Sequence, residues 1–154
     1  MDLPKRKNPR LEGFDYATQR AYFVTICIKN HRNLFGSISP EHGHVLSPLG
    51  QCAAVNLAAI PSHFPEISIH HAVVMPNHVH MLLLLGCTGQ EAVRKLSLAI
   101  QAYKASVSRW YGQSIWQRSF HDHIIRNDCD YREIWNYIEC NPLKWQLDRF
   151  YSAY

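Results

Sequence analysis

The sequence contains no C-x-x-C pair and no even set of cysteines. Its five, Cys27, Cys52, Cys87, Cys129 and Cys140, are scattered and several sit in apolar surroundings. That argues against a disulfide framework or a thiolate zinc site and fits reduced thiols in a cytoplasmic protein. Apolar runs are short as well. The longest, "AVVMPNHVHMLLLL", is broken by Pro76, Asn77 and two histidines, so nothing reaches the roughly 18 residues of a membrane-spanning helix. The opening "MDLPKRKNPRLEGFDY" is basic but lacks the apolar core of a signal peptide. Internal repeats, low-complexity tracts and Gly/Ser linkers are missing, and a single domain over residues 1–154 is the expectation. No G-x-x-x-x-G-K-[ST] loop is present, which excludes the phosphate grip built by that motif.

What the chain does have is an ordinary apolar fraction of 47%, a formal charge of +4 and ten histidines. The first fits a globular core, and the second is compatible with a polyanionic partner without proving one. "AYFVTICI" (21–28) is dense in β-branched and aromatic residues and reads as a strand, and "GHVLS" (43–47) as a short second one. From Pro48 to about His63 an Ala- and Leu-rich stretch reads as a helix closing near Pro61. "ISIHHAVVM" and "HVHMLLLL" read as two strands joined by Pro76 and Asn77, an antiparallel hairpin. Residues 90–110 form the clearest helix, with Val93, Leu96, Ile100, Tyr103, Val107 and Trp110 as its apolar stripe. "SFHDHIIR" reads as a strand, and "DYREIWNYIECNP" as a helix ending near Asn141, because Pro142 disfavours helical geometry before it. This order predicts an α+β fold, a central antiparallel β-sheet with helices packed mainly on one face.

Three His-x-His pairs occur: His42/His44, His78/His80 and His121/His123. With ten histidines such a match is cheap, so context must choose among them. His42 and His44 flank Gly43 in a turn where nothing holds them. His78 and His80 lie on a strand, where residues two apart share a face. The leucines that follow mark that strand as covered on both faces, hence central. The pair is therefore a rigid platform for a cation, or else two half-buried histidines satisfied by backbone groups. His121 and His123 remain competitors on a neighbouring strand. In "NYIECNP", Tyr137 and Asn141 are one helical turn apart and share a face. A carboxamide oxygen suits a hard or borderline cation such as Mg²⁺ or Mn²⁺. Taken alone, the two also read as a packing aromatic and a helix C-cap. Tyr131, about 240° round the helix from Tyr137, cannot share that face.

Together "PNHVH" and the later "YIECNP" resemble the HUH single-tyrosine transposases, and more narrowly the REP-associated tyrosine transposases and their insertion-sequence relatives. "RLEGFDY", "AYFVTICIKN" with "LFG", "IWQRSFHDHIIRN" and "DYREIWNYIECNPLKW" follow in the same order, so the resemblance runs over most of the chain. It implies a ferredoxin/RRM-like HUH nuclease fold, His78 and His80 as metal ligands, Tyr137 as nucleophile and Asn141 as third ligand. It also implies a divalent cation, Mg²⁺ or Mn²⁺, and a reaction in which tyrosine attack on a DNA phosphate leaves a 5′-phosphotyrosine link and a free 3′-OH. The substrate implied is single-stranded DNA, often with a foldback hairpin, handled by a monomer or by a homodimer that exchanges the tyrosine helix.

Among the basic residues, Arg118, Arg126 and Lys144 flank these motifs and are the first candidates for DNA phosphates, with Lys104 and His123 behind them. Other readings compete. A histidine-triad hydrolase needs a third alternating histidine, but that position is Leu82. A relaxase or replication initiator shares the chemistry but often uses a larger domain or two tyrosines. A non-catalytic, domesticated DNA-binding protein recognising repeat hairpins would not need all four of His78, His80, Tyr137 and Asn141.

Overall fold

The computed structural model describes residues 19–153; the basic N-terminal cluster and "RLEGFDY" lie outside them. Among the described residues there are six strands: β1 (Arg20–Cys27), β2 (Gly36–Ser39), β3 (Gly43–Leu46), β4 (Ile67–Val74), β5 (His78–Leu85) and β6 (His121–Ile125). Four helices accompany them: α1 (Pro48–Ala58), α2 (Ile60–His63), α3 (Gly89–Tyr111) and α4 (Asp128–Cys140). β4, β5, β1 and β6, in that order, form one antiparallel sheet, while β2 and β3 pair separately as a hairpin. The expected α+β architecture is the one observed.

Local chemistry sets the helix ends. Ser47 caps α1 by accepting from the Gly50 amide at 3.0 Å, with Pro48 in the first turn. The Ala/Leu-rich stretch is not one helix. Pro61 has no amide proton and its ring clashes with the carbonyl one turn back, so α1 stops at Ala58 and α2 restarts at Ile60. α3 ends at Gly112 in a left-handed conformation (φ 93°). Asn127 caps α4 through the Asp130 amide at 2.8 Å, and Asp128 and Asp130 lie in its positive first turn.

Strand alternation divides the sheet into two faces. Tyr22, Val24 and Ile26 of β1 and Val79, Met81, Leu83 and Leu85 of β5 pack against α1 and α3 in the main core. Ala21 and Leu82 face the other way and meet Tyr131 and Ile138 of α4 in a much smaller cluster. So α1 and α3 cover one face and α4 the opposite one. The stripe of α3 also differs in detail: Ala92, Leu96, Ala99, Ile100, Tyr103 and Val107 are buried, whereas Val93 and Trp110 are exposed. Alanines occupy the buried positions because α1 lies alongside and a larger side chain would hold it off.

Candidate active site

β5 is central, flanked by β4 and β1, and both His78 and His80 at its start are buried. They point to the α4 face, away from the main core. Their Nε2 atoms lie 3.0 Å apart. Each ring is held from behind: His78 Nδ1 meets Asn77 Oδ1 at 2.8 Å, and His80 Nδ1 meets Thr25 Oγ1 at 2.9 Å. The Asn77 amide nitrogen already donates to the carbonyls of His31 and Phe150, at 3.2 and 2.6 Å. Its oxygen is therefore an acceptor only, which puts the neutral His78 proton on Nδ1 and leaves Nε2 a lone pair. Burial pushes the pKa of His78 down to about 4, against a smaller upward pull from Asp148. His80 is pushed well down by burial and then by His78. A neutral His78 thus turns its Nε2 lone pair toward His80 Nε2, and neutral imidazoles are the form in which histidine binds a cation.

α4 brings two more groups. The Tyr137 ring, 41% exposed, sits with its centroid 5.2 Å from His80 and 5.8 Å from Phe23. Asn141, just past the helix end, is buried and donates from Nδ2 to Asp148 Oδ2 at 3.0 Å. Its carbonyl oxygen is buried with no hydrogen-bond partner, although Asn141 lies near enough to His78 and Tyr137 to bias the protonation of both. An orphaned buried acceptor costs free energy unless something fills the gap. The Tyr137 pKa is raised, first by burial and then by Asp148, while Asn141 and Arg149 pull it down.

Sequence reasoning missed Asp148. The chain turns through a 3-10 segment, Pro142–Leu147, and returns this carboxylate to the site. Asp148 Oδ2 is 3.9 Å from His78 Nε2, and its side chain is almost fully buried. His78, His80 and Asp148 are the one such group of possible metal ligands among the described residues. The only signal in the sequence was that Asp148 is the sole acidic residue after Asn141. Thr25 was missed for a different reason, since its role depends on the register pairing it with His80. Two ligands at right angles on an octahedral ion with bonds of about 2.1 Å lie about 3.0 Å apart. The imidazole separation, the orphaned Asn141 oxygen and the adjacent carboxylate fit a divalent cation.

The candidate basic residues are spread out. Lys144 lines a cavity of about 420 Å³ with Glu133, Tyr137, Asn141, Asp148 and Arg149. Arg118 follows Gln117, whose amide donates to the Cys27 carbonyl at 2.9 Å, and Cys27 pairs with His78. His123 lies on the His80 face of the sheet, opposite Phe23, but its Nε2 is held by Asp130 at 2.9 Å. Lys104 points to the other face of the sheet. Arg126 follows Ile125, which pairs with Ala21, so it is at the far end of β1, about 20 Å from Cys27 at strand rise. His42 and His44 are on and beside the separate hairpin.

No family model matches the chain. A Haemophilus influenzae protein of uncharacterised function is 31% identical over 168 residues, covering 95% of this chain and 93% of its own. Another protein of that organism, named as a REP-associated tyrosine transposase, is 27% identical over 93 residues, 53% of this chain and 52% of its own. Among solved structures, a REP-associated tyrosine transposase bound to a REP hairpin has a TM-score of 0.65 at 25% identity, over 94% of this chain and 74% of its own. A Deinococcus radiodurans protein described as a transposase shares the fold, with TM-score 0.51 and 17% identity, over 85% of this chain and 95% of its own. With the four-stranded antiparallel sheet and its helices already in hand, these likenesses make the chain similar, in fold and over much of its sequence, to the REP-associated tyrosine transposases.

Proposed function

We propose that the chain is a metal-dependent single-strand DNA endonuclease and strand transferase with Tyr137 as its nucleophile. The observation that carries this reading is the placement of the Tyr137 ring edge-on to His80, beside two buried imidazoles with converging Nε2 atoms and the orphaned Asn141 oxygen. His78, His80 and Asn141 would hold a divalent cation, Mg²⁺ or Mn²⁺, with Asp148 beside them; it would neutralise and orient the scissile phosphate. The chain's own residues do the rest. Asn77 and Thr25 fix the two rings, and α4 presents the phenol to the same face of the sheet. The bond from Tyr137 Oη to phosphorus forms as the bond from phosphorus to the 3′ oxygen breaks. The phenol gives up its proton, and the departing oxygen takes one up as a free 3′-OH. The phosphoester is conserved, so another strand's 3′-OH can reverse the step. A phenol pushed up from an ordinary value near 10 is a poor nucleophile in the free chain, and Arg149 and Asn141 offset part of that rise.

The substrate in this reading is single-stranded DNA carrying a foldback hairpin, with Lys144 and Arg149 lining the cavity that receives it. The test uses single strands from the flanks of the gene, labelled at the 3′ end and incubated with Mg²⁺ or Mn²⁺. A labelled protein–DNA band on a denaturing gel, lost in Tyr137→Phe and with EDTA, is the expected result. Binding without any such band would make the chain a non-catalytic DNA binder.

A further inference from the structure

On the opposite face of the sheet from His78 and His80, α3 and the segment after it line a second, open cavity of about 590 Å³. Lys29, Lys104, Ser108, Gln117 and Arg118 line it, and no carboxylate does. Lys104 is its centre. The half-buried ammonium donates to the carbonyl of Gln117 at 2.8 Å and, more loosely, to that of Ser119 at 3.4 Å. Among the described residues, none of Lys29, Lys104 and Arg118 has an acidic partner. A cation drawn out of water with only neutral carbonyls around it leaves a positive potential unbalanced, and two further cations at the rim add to it. Burial accordingly pulls the Lys104 pKa down.

The cavity is also built rigidly. Its wall is Trp116, buried, bridged to Ile28, and donating from Nε1 to the Lys104 carbonyl at 3.0 Å. Lys29 donates its amide to the Ile115 carbonyl, and Gln117 donates to that of Cys27, both at 2.9 Å. Cys27 pairs with His78 on the other side of β1. Gln117 and His78 are therefore separated by about two strand spacings, roughly 10 Å. The cavity and the tyrosine site share one end of the sheet and lie on its two faces.

We propose that this cavity is a phosphate subsite for the DNA backbone, so that DNA engaged at Tyr137 continues round the end of β1 onto the α3 face. The inference rests on the DNA reading above and deepens it. The phosphodiester has two possible sources, the single strand or the duplex stem of a hairpin, and the experiment separates them. Binding is measured against salt concentration in the Tyr137→Phe background, with and without Lys29→Ala and Arg118→Ala, both at exposed positions. Two oligonucleotides are used, one without a foldback and one with a hairpin. Each lost phosphate contact makes the slope of log K against log salt shallower by about 0.7 for a single strand and about 0.9 for a duplex. Shallower slopes on both oligonucleotides assign the strand; a change on the hairpin alone assigns the stem. Lys95→Ala, which removes a charge already paired with Glu66 and Glu91, is the control and leaves the slope as it was. Unchanged slopes for Lys29→Ala and Arg118→Ala on both oligonucleotides overturn the proposal. Covalent adduct formation by the parent chain is scored separately. Its absence, beside a changed slope, would count against the nuclease and for the phosphate subsite.

Discussion

The two faces of the sheet do different work. The face under α1 and α3 is almost wholly apolar, from Tyr22 and Val24 through Val79 and Leu83 to Leu96 and Ile100. The face under α4 is apolar only at one end, where Ala21, Leu82 and Ile125 meet Tyr131 and Ile138. At its other end it carries Thr25, His78 and His80, all buried, with Asn141 above them. One face can support buried polar groups because the other supplies most of the apolar burial. α4 compensates for its small apolar contact with polar ties to the edge strand. A bulge between Ile69 and His71 breaks the alternation of β4, so that two consecutive histidines reach the same helix. His70 Nδ1 meets the Tyr131 hydroxyl at 2.8 Å. His71 stacks on Trp135, centroids 4.4 Å apart, and meets Glu139 at 2.7 Å.

The sharpest way to separate the faces is Tyr137→Phe. It should abolish the covalent adduct while moving stability by less than about 0.5 kcal/mol in chemical denaturation. A large loss of stability would mean that the hydroxyl belongs to the fold. Leu96→Ala on the other face should do the reverse. A roughly 2–5 kcal/mol loss is expected from the cavity it leaves, with the adduct yield per folded molecule unchanged.

Acid should weaken the α4 face selectively. In the presence of chelator, His78 titrates near its ordinary value of 6.5 when unfolded but at about 4 when folded. Between those values the unfolded chain binds the extra proton, so stability falls as pH drops through that window, by about 3 kcal/mol in all. Denaturation midpoints that stay flat from pH 7 to pH 4 would contradict a buried neutral imidazole there. His78→Ala should flatten much of that dependence.

Smaller effects should come from the ties of α4. His70→Ala leaves the buried Tyr131 hydroxyl without its partner, at a cost of about 1–3 kcal/mol. His71→Ala removes a pair whose Glu139 is 63% exposed, and should cost no more than about 1 kcal/mol. If these ties also aim Tyr137, both variants lower the rate of adduct formation at saturating DNA without weakening binding, and His70→Gln recovers part of it. Equal rates for all three would make the ties purely structural.

Much of this molecule is written locally. The β4–β5 hairpin follows from two apolar runs with Pro76 and Asn77 between them, and the end of α4 from Pro142. The shared face of His78 and His80 follows from the two-residue strand period, and the helical step brings Tyr137 and Asn141 together. Each of these depends on neighbours within a few residues, where steric and hydrogen-bonding preferences are strong. The exposure of Val93 and Trp110 was not legible, because the buried stripe of α3 runs through Ala92 and Ala99, which matter only once α1 is alongside. Nor was the scatter of the basic residues. Arg126 and Arg118 are close in sequence, yet β6 carries them to opposite ends of β1.

The sequence by itself determined most of the elements, though neither the strand Gly36–Ser39 nor the break between α1 and α2, together with the shared face of His78 and His80 and the tyrosine helix, because backbone periodicity and turn chemistry act over short stretches. Only the tertiary structure decided that α4 covers the face opposite α1 and α3, that Thr25 backs His80, and that Asp148 returns to the site. Those outcomes depend on strand register and on which apolar surfaces meet, and both are settled by long-range packing rather than by any residue's near neighbours.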